Sequence, residues 1–172
     1  MFRRFGVMAL MAVFCLGSAQ AQDNWFGLRS GYPLGVTVHD GIENALSNGF
    51  DLRISANLRS RRSGIEVGLG VDGLNTVYVE RPFEVYVGGG PAIDFGGGGA
   101  LVDIHGLAGA EFRLYDTGLD NLGIFAEIAL GAAIGIGRSS QIPSFGAAVG
   151  FNWHFSAVTP ERGLIARACL VD

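Results

Sequence analysis

The residues of this chain that could do chemistry are few and scattered. His154 and Ser156 stand two apart, the types of a base and the hydroxyl it would activate. Such a pair also needs an acidic group to orient the imidazole, and the sequence does not place one. Gly68-Leu69-Gly70-Val71-Asp72-Gly73 has the G-x-G-x-x-G spacing. A dinucleotide site needs a helix opening at that point, whereas here apolar residues continue at every second position, which reads as small residues on a crowded inner face. The glycines from Gly96 to Gly99 are followed by neither a helix pattern nor a lysine, so they read as a turn and not a phosphate cradle. His39, His105 and His154 are too far apart for a metal-ligand spacing, and each falls on the polar parity of its segment, where hydrogen bonding is the expected role. The expectation is a protein with no catalytic residues, no metal and no cofactor.

The segments that carry these residues alternate with a period of two. From Ser144 to Phe155, Phe145, Ala147, Val149, Phe151, Trp153 and Phe155 take one parity, and Ser144, Gly146, Ala148, Gly150, Asn152 and His154 the other, the mark of a strand with one apolar face. The same pattern runs over Phe26–Val38, Phe50–Leu58, Ile65–Val79, Phe83–Phe95, Ala100–Leu114 and Leu122–Ile136. Turn signals separate the runs at Asp40-Gly41, Ser47-Asn48-Gly49, Arg59–Gly64, Arg81-Pro82, Gly96–Gly99, Asp116–Asn121 and Arg138–Pro143. A 3.6-residue period is discernible only over Gly41–Leu46, one or two helical turns at most. The chain is therefore expected to be all-β and antiparallel with short connections. Single-chain bacterial barrels generally have an even number of strands, so one of these seven runs should be two. Gly31-Tyr32-Pro33 is the favoured break, because proline cannot donate to an interior ladder, and Gly73-Leu74-Asn75 is the rival. Eight strands are expected.

The chain opens like an exported protein. Arg3 and Arg4, the apolar stretch Gly6–Leu16 and the small-residue site Ser18-Ala19-Gln20-Ala21 follow the order of a signal peptide over 1–21, and the apolar stretch is too short to span a bilayer. Cys15 follows Phe14 and not a small residue, which argues against lipoprotein processing. Removing Arg3 and Arg4 with the leader takes the net charge from −4 to −6, which argues against nucleic acid as a partner. Cys169 is then the only cysteine, so packing and strand pairing must supply stability without an intramolecular disulfide.

Periodicity alone does not say which face points inward. In a soluble ligand-binding barrel the apolar parity lines the cavity; in a transmembrane barrel it faces lipid. The apolar parity is nearly unbroken over roughly nine to eleven residues per strand, enough to cross the hydrocarbon at a tilt. The opposite parity mixes Gly and Ala with Arg29, Arg53 and Arg113 and with Asp51, Glu66, Glu84, Asp103, Glu111 and Glu127. Such charges can pair with one another in a narrow lumen. Aromatics gather near strand ends, at Trp25-Phe26, Tyr78, Phe83, Tyr115 and Trp153–Phe155, where interfacial girdles would lie.

The leader, the alternating strands and the ending Gly150-Phe151-Asn152-Trp153-His154-Phe155 resemble the small outer-membrane β-barrel families of OmpA and OmpX type. The resemblance covers about 25–155 and rests on pattern, without invariant motifs. It implies an up-and-down transmembrane barrel of eight strands at 22–155 in the cell outer membrane, with lipid around it. It also implies that Phe151, Trp153 and Phe155 form the signal read by the barrel-assembly machinery during biogenesis. The chain departs from these families in continuing through 156–172, too short for a peptidoglycan-binding domain and read as a periplasmic tail with a short helix over Gly163–Val171. His154-Phe155-Ser156 also resembles the His-x-Ser pair of outer-membrane lipid A deacylases, but Ala157 stands where that family would have Asn.

The reading is a non-catalytic, structural or surface-interaction barrel whose lumen is knitted by Arg53, Glu66, Glu84, Asp103, Glu111, Arg113 and Glu127. The alternatives are a narrow pore, a soluble periplasmic ligand-binding barrel and a lipid A-modifying hydrolase. The soluble barrel is told apart by whether Ile54, Val67, Ile104, Ile128 and Val149 face inward.

Overall fold

A computed structural model describes residues 23–47, 49–61, 64–115 and 117–155. The leader and the tail read above lie outside the described residues. Eight strands follow one another: β1 (Asn24–Tyr32), β2 (Gly35–Ser47), β3 (Phe50–Arg61), β4 (Gly64–Glu80), β5 (Phe83–Gly96), β6 (Gly99–Arg113), β7 (Leu122–Ile136) and β8 (Gln141–Phe155). Each pairs antiparallel with its sequence neighbour, and β1 pairs with β8 to close the barrel. The break in the first run falls at Pro33-Leu34, while the rival site at Gly73-Leu74-Asn75 lies inside an unbroken β4. Glycine is required at the β5–β6 hairpin, where Gly97 and Gly98 take φ of 60° and 84°.

Three local expectations are corrected. Asp40-Gly41 is not a turn and Gly41–Leu46 is not helical: both belong to β2. Its interior tolerates Asp40 and Gly41 because Asp40 points outward and Gly41 makes room for an indole in the lumen. Pro143 lies within β8, where the register with β7 shifts between Gly131 and Ala133. Proline is accommodated in a sheet where the ladder is interrupted.

Stepping through paired residues from Asn24 to Ile42, Leu52, Gly73, Gly89, Gly106, Leu130 and Phe145, and continuing the β8–β1 register, leads to Leu34. That stagger of about ten residues in an eight-stranded barrel goes with strands tilted by about 40°. The end carrying Asn24 and Phe155 is called terminal here and the opposite end distal.

The two faces separate by chemistry. Arg53, Glu66 and Asp72 are no more than 1% exposed, while Ile104, Ile128 and Val149 are 65%, 58% and 64% exposed. Val67 is likewise exposed, and Ile54 shares the outward parity opposite buried Arg53. The apolar face is on the outside, so the cavity of a lipocalin-like soluble barrel, lined by that face, is not what this chain builds. Among the described residues, Asp40 is the one charged side chain on the outward parity away from strand ends, and it pairs with Phe26 near the terminal rim. Phe83, Phe112, Phe151, Trp153 and Phe155 are exposed around that rim, and Tyr32, Phe95 and Phe145 near the distal one. Trp25 does not join them: it points into the lumen and is buried.

Candidate functional site

Among the described residues, the lumen is where ionisable side chains converge, and it is built in three tiers. At the terminal end Arg113 on β6 lies 3.1 Å from Glu84 of β5, 3.4 Å from Glu111 of its own strand and 3.7 Å from Glu43 of β2. His154 on β8 completes this tier, its Nε2 2.7 Å from Glu111 and its Nδ1 3.2 Å from Glu43. Asn152 donates to Glu111 and accepts from His39 Nε2 at 2.9 Å. Both ring nitrogens of His154 thus face carboxylates; the Ser156 of the His-x-Ser pair lies outside the described residues.

The middle tier centres on Arg53. Its guanidinium donates to Asp72 on β4 at 2.9 Å through Nη2 and to Glu127 on β7 at 2.8 Å through Nη1. Glu127 also pairs with Arg29 of β1 and accepts from the Tyr86 hydroxyl at 3.3 Å. Alternation aims every one of these side chains inward, and the closed circuit brings strands β3 and β7 face to face across the axis. Around them Trp25, Leu74, Tyr86 and Leu107 form a small apolar cluster, with Phe125 also buried. Three ion pairs and large rings therefore fill the neck of a barrel whose interior is just wide enough for side chains.

The Trp25 indole lies over Gly41 and meets His39 edge-on with ring centroids 5.3 Å apart. A Cβ on Gly41 would overlap the indole. Gly41→Val is expected to destabilise the barrel by about 1–3 kcal/mol in urea unfolding, the usual range for overpacking. Gly106→Val, where a Cβ meets nothing nearer than 3.8 Å, should leave the midpoint unchanged. Equal midpoints for the two variants would show that Trp25 is not held there.

The distal tier is looser. His105 on β6 bridges Asp103 at 2.8 Å and Asp72 at 3.1 Å, and Ser144 of β8 donates to the other oxygen of Asp103 at 2.8 Å. Arg59 meets Asp94 at 2.6 Å, and Arg138 meets Glu66 at 2.7 Å. Above the neck remains a cavity of about 120 Å³, room for a few water molecules and lined on the inside by Arg29, Ser55, Arg59, Asp103 and His105.

The seven ionisable residues singled out from the sequence all point into the lumen, but they do not form one cluster. Arg53 and Glu127 meet in the neck; Glu84, Glu111 and Arg113 meet at the terminal end; Asp103 and Glu66 belong to separate distal pairs. Sequence reasoning left out Glu43, Arg59, Asp72, Asp94 and Arg138, which complete those pairs. Glu43 was masked by the helical reading of its segment, and Arg59 and Arg138 by their places in turn signals. Phe151, Trp153 and Phe155 stand on the outer face at the terminal end. Among the described residues no group of three or more His, Cys, Asp or Glu is arranged to hold a metal ion.

Together these features define an eight-stranded, closed, antiparallel barrel with a charged, side-chain-filled lumen and an apolar exterior. No protein-family model matches the chain, and no curated protein matches it in sequence. Among solved structures it is similar to a chain from the de novo design of transmembrane β-barrels, with a TM-score of 0.52 and 18% identity over 80% of this chain and 98% of that one. Neisserial surface protein A also matches, with a TM-score of 0.47 and 8% identity over 78% of this chain and 93% of that one. The likeness to the designed barrel is one of fold.

Proposed function

We propose that this protein is an integral outer-membrane β-barrel of the small, closed type, a non-catalytic structural or surface-interaction component of the cell envelope. The observation that carries the reading is the inversion of faces: buried Arg53, Glu66 and Asp72 inside, exposed Ile104, Ile128 and Val149 outside. Water does not favour so large an apolar exterior on a monomer, whereas hydrocarbon does. Closure of the strands satisfies the backbone groups that lipid cannot. The filled neck supports a closed barrel over a pore, and His154, held between Glu43 and Glu111, supports a positioning role over that of a base for a hydroxyl.

Fractionated cells, with the outer-membrane fraction run on a denaturing gel with and without boiling, test this reading. A membrane-retained band that changes mobility on boiling is expected; release with the soluble periplasm would refute it. The assembly machinery is a proposed partner in biogenesis, reading Phe151, Trp153 and Phe155. Phe155→Ala is expected to lower the amount of the heat-modifiable band, and normal assembly of that variant would remove the terminal-aromatic signal.

A further inference from the structure

The wall of the barrel is not of even height. β1 ends at Tyr32, paired with Ala147, yet β8 extends back to Gln141, so that residues 141–146 have no partner on the β1 side among the described residues. On the other flank β2 begins at Gly35, paired with Arg59, while Ser60 of β3 pairs onward with Ile65 of β4. The Ser60 N–H still reaches the Leu34 carbonyl, at 3.3 Å. Above the Pro33-Leu34 hairpin the wall therefore lacks two strands, leaving a lateral notch between β8 and β3 whose sill is Tyr32 and Gly35.

The notch opens into the distal cavity, whose lining joins Tyr32, Pro33, Gln141 and Phe145 of the frame to Thr37 and Asn57 of the interior. Its outer frame is apolar: Tyr32, Leu34, Ile142 and Phe145 are exposed, and the Tyr32 and Phe145 rings lie 6.3 Å apart. Eight residues of tilted β8 separate Ala147 from Phe155, which puts the sill about 20 Å from the terminal rim. That height is near the far edge of an apolar band about 25 Å tall, where acyl chains give way to headgroups. Two missing strands leave roughly 14 Å between the flanking backbones, room for one acyl chain past the side chains.

The guanidiniums around that cavity are already matched. Arg29 pairs with Glu127, Arg53 with Asp72 at 2.9 Å and Arg59 with Asp94 at 2.6 Å, while Asp103 is held by His105 and Ser144. An ionised head entering here would arrive without a counter-charge of its own. What the wall lacks is donors for two buried oxygens, Asn57 Oδ1 and Asp94 Oδ1, which have no partner among the described residues. Both side chains lean over Gly68, where a Cβ would overlap them. Asn57 continues a row of inward positions with Thr37 and Arg29 just below the sill. The stem of Arg59 lies over Gly35, at the sill itself. Donors and free acceptors thus stand side by side, and a hydroxyl, which both gives and takes a hydrogen bond, answers both.

We propose that the notch and the distal cavity together form a site for a single-chain lipid with an uncharged, hydroxyl-bearing head, taken sideways from the leaflet at the distal end. The acyl chain lies along Tyr32, Leu34, Ile142 and Phe145, and the hydroxyls turn inward beneath Arg59 to meet Thr37 and Asn57. The proposal rests on the transmembrane reading above. An added peptide strand is disfavoured, because Pro143 removes a donor from the short free edge of β8.

The test is native mass spectrometry of the full chain folded into phosphatidylcholine bilayers doped equally with 1-oleoylglycerol, oleate and oleylamine, which share a tail length and differ in the charge of the head. The heat-dependent gel shift checks folding. Preferential retention of 1-oleoylglycerol, about tenfold over either ionised lipid, is expected. T37V/N57A should abolish most of that preference, and L34S/F145S should lower retention of all three lipids while the gel shift persists. Equal retention of the three, a preference for an ionised head, or a preference unchanged in T37V/N57A would overturn the proposal while leaving the transmembrane reading intact. Displacement of the retained lipid by free glycerol, mole for mole, would overturn it in favour of a soluble-polyol site. A chain that does not insert into the bilayer would overturn both readings.

Discussion

Arg53→Leu is expected to be among the most damaging single changes in this barrel. The guanidinium is 1% exposed and is the shared donor to Asp72 and Glu127. Leucine leaves Glu127 with Arg29 and takes from Asp72 its guanidinium partner, and breaking a buried pair from one side generally costs about 3–5 kcal/mol because a charge stays behind uncompensated. The measurement is urea unfolding of the protein folded in detergent micelles, followed by the gel shift. Adding Asp72→Asn to the Arg53→Leu chain should restore most of the loss, since the surplus negative charge is then removed while Glu127 keeps Arg29. A single variant as stable as the parent would mean that the neck is hydrated and that the Arg53 pairs are not what holds it.

The second large effect is a charge on the outer wall. Ile128 faces outward from the middle of β7, its backbone between Ala108 and Ala147. In a bilayer Ile128→Arg should cost about 2–4 kcal/mol, the penalty for arginine at the midplane of a lipid-facing wall. Phe95→Arg, on the same face at the distal rim, should cost about 0–1 kcal/mol. An exposed surface substitution in water typically stays within about 0.5 kcal/mol of the parent at either position. Refolding titrations in lipid vesicles compare the two. A depth-independent result would count against the transmembrane reading, whichever direction it took.

Strand identity was legible because a period of two is a local property. Ile65, Val67, Leu69 and Val71 announce a strand whatever surrounds them, and Pro33 announces its own turn. The lower half of β2 was not legible, because Asp40-Gly41 has turn chemistry and only the Trp25 indole across β1 explains the glycine. Trp25 itself was misplaced for the same reason: an aromatic at a strand end looks alike whether it faces lipid or lumen, and the vacancy at Gly41 decides. Parity could say that Arg53 and Glu127 point the same way, but not that they meet. Seventy-four residues separate them, and only the stagger with which the sheet closes brings them within 2.8 Å. Glu66 stands apart from the Arg53 pairs because it lies opposite Arg59, distal to Asp72 on the same strand, where Arg138 meets it.

The short first strand also has a consequence in time. Seven of the eight strand pairings join neighbours in sequence across brief connections and can form as the chain emerges. The eighth, β1 with β8, must bring Asn24 to Phe155 and has nine paired residues to do it with, against fourteen between β6 and β7. The last event of folding is thus the one with a small reward and a long loop to close. Until it happens, the chain is a curled sheet with two raw edges, β1 and β8, and is exposed to pairing with the wrong strand.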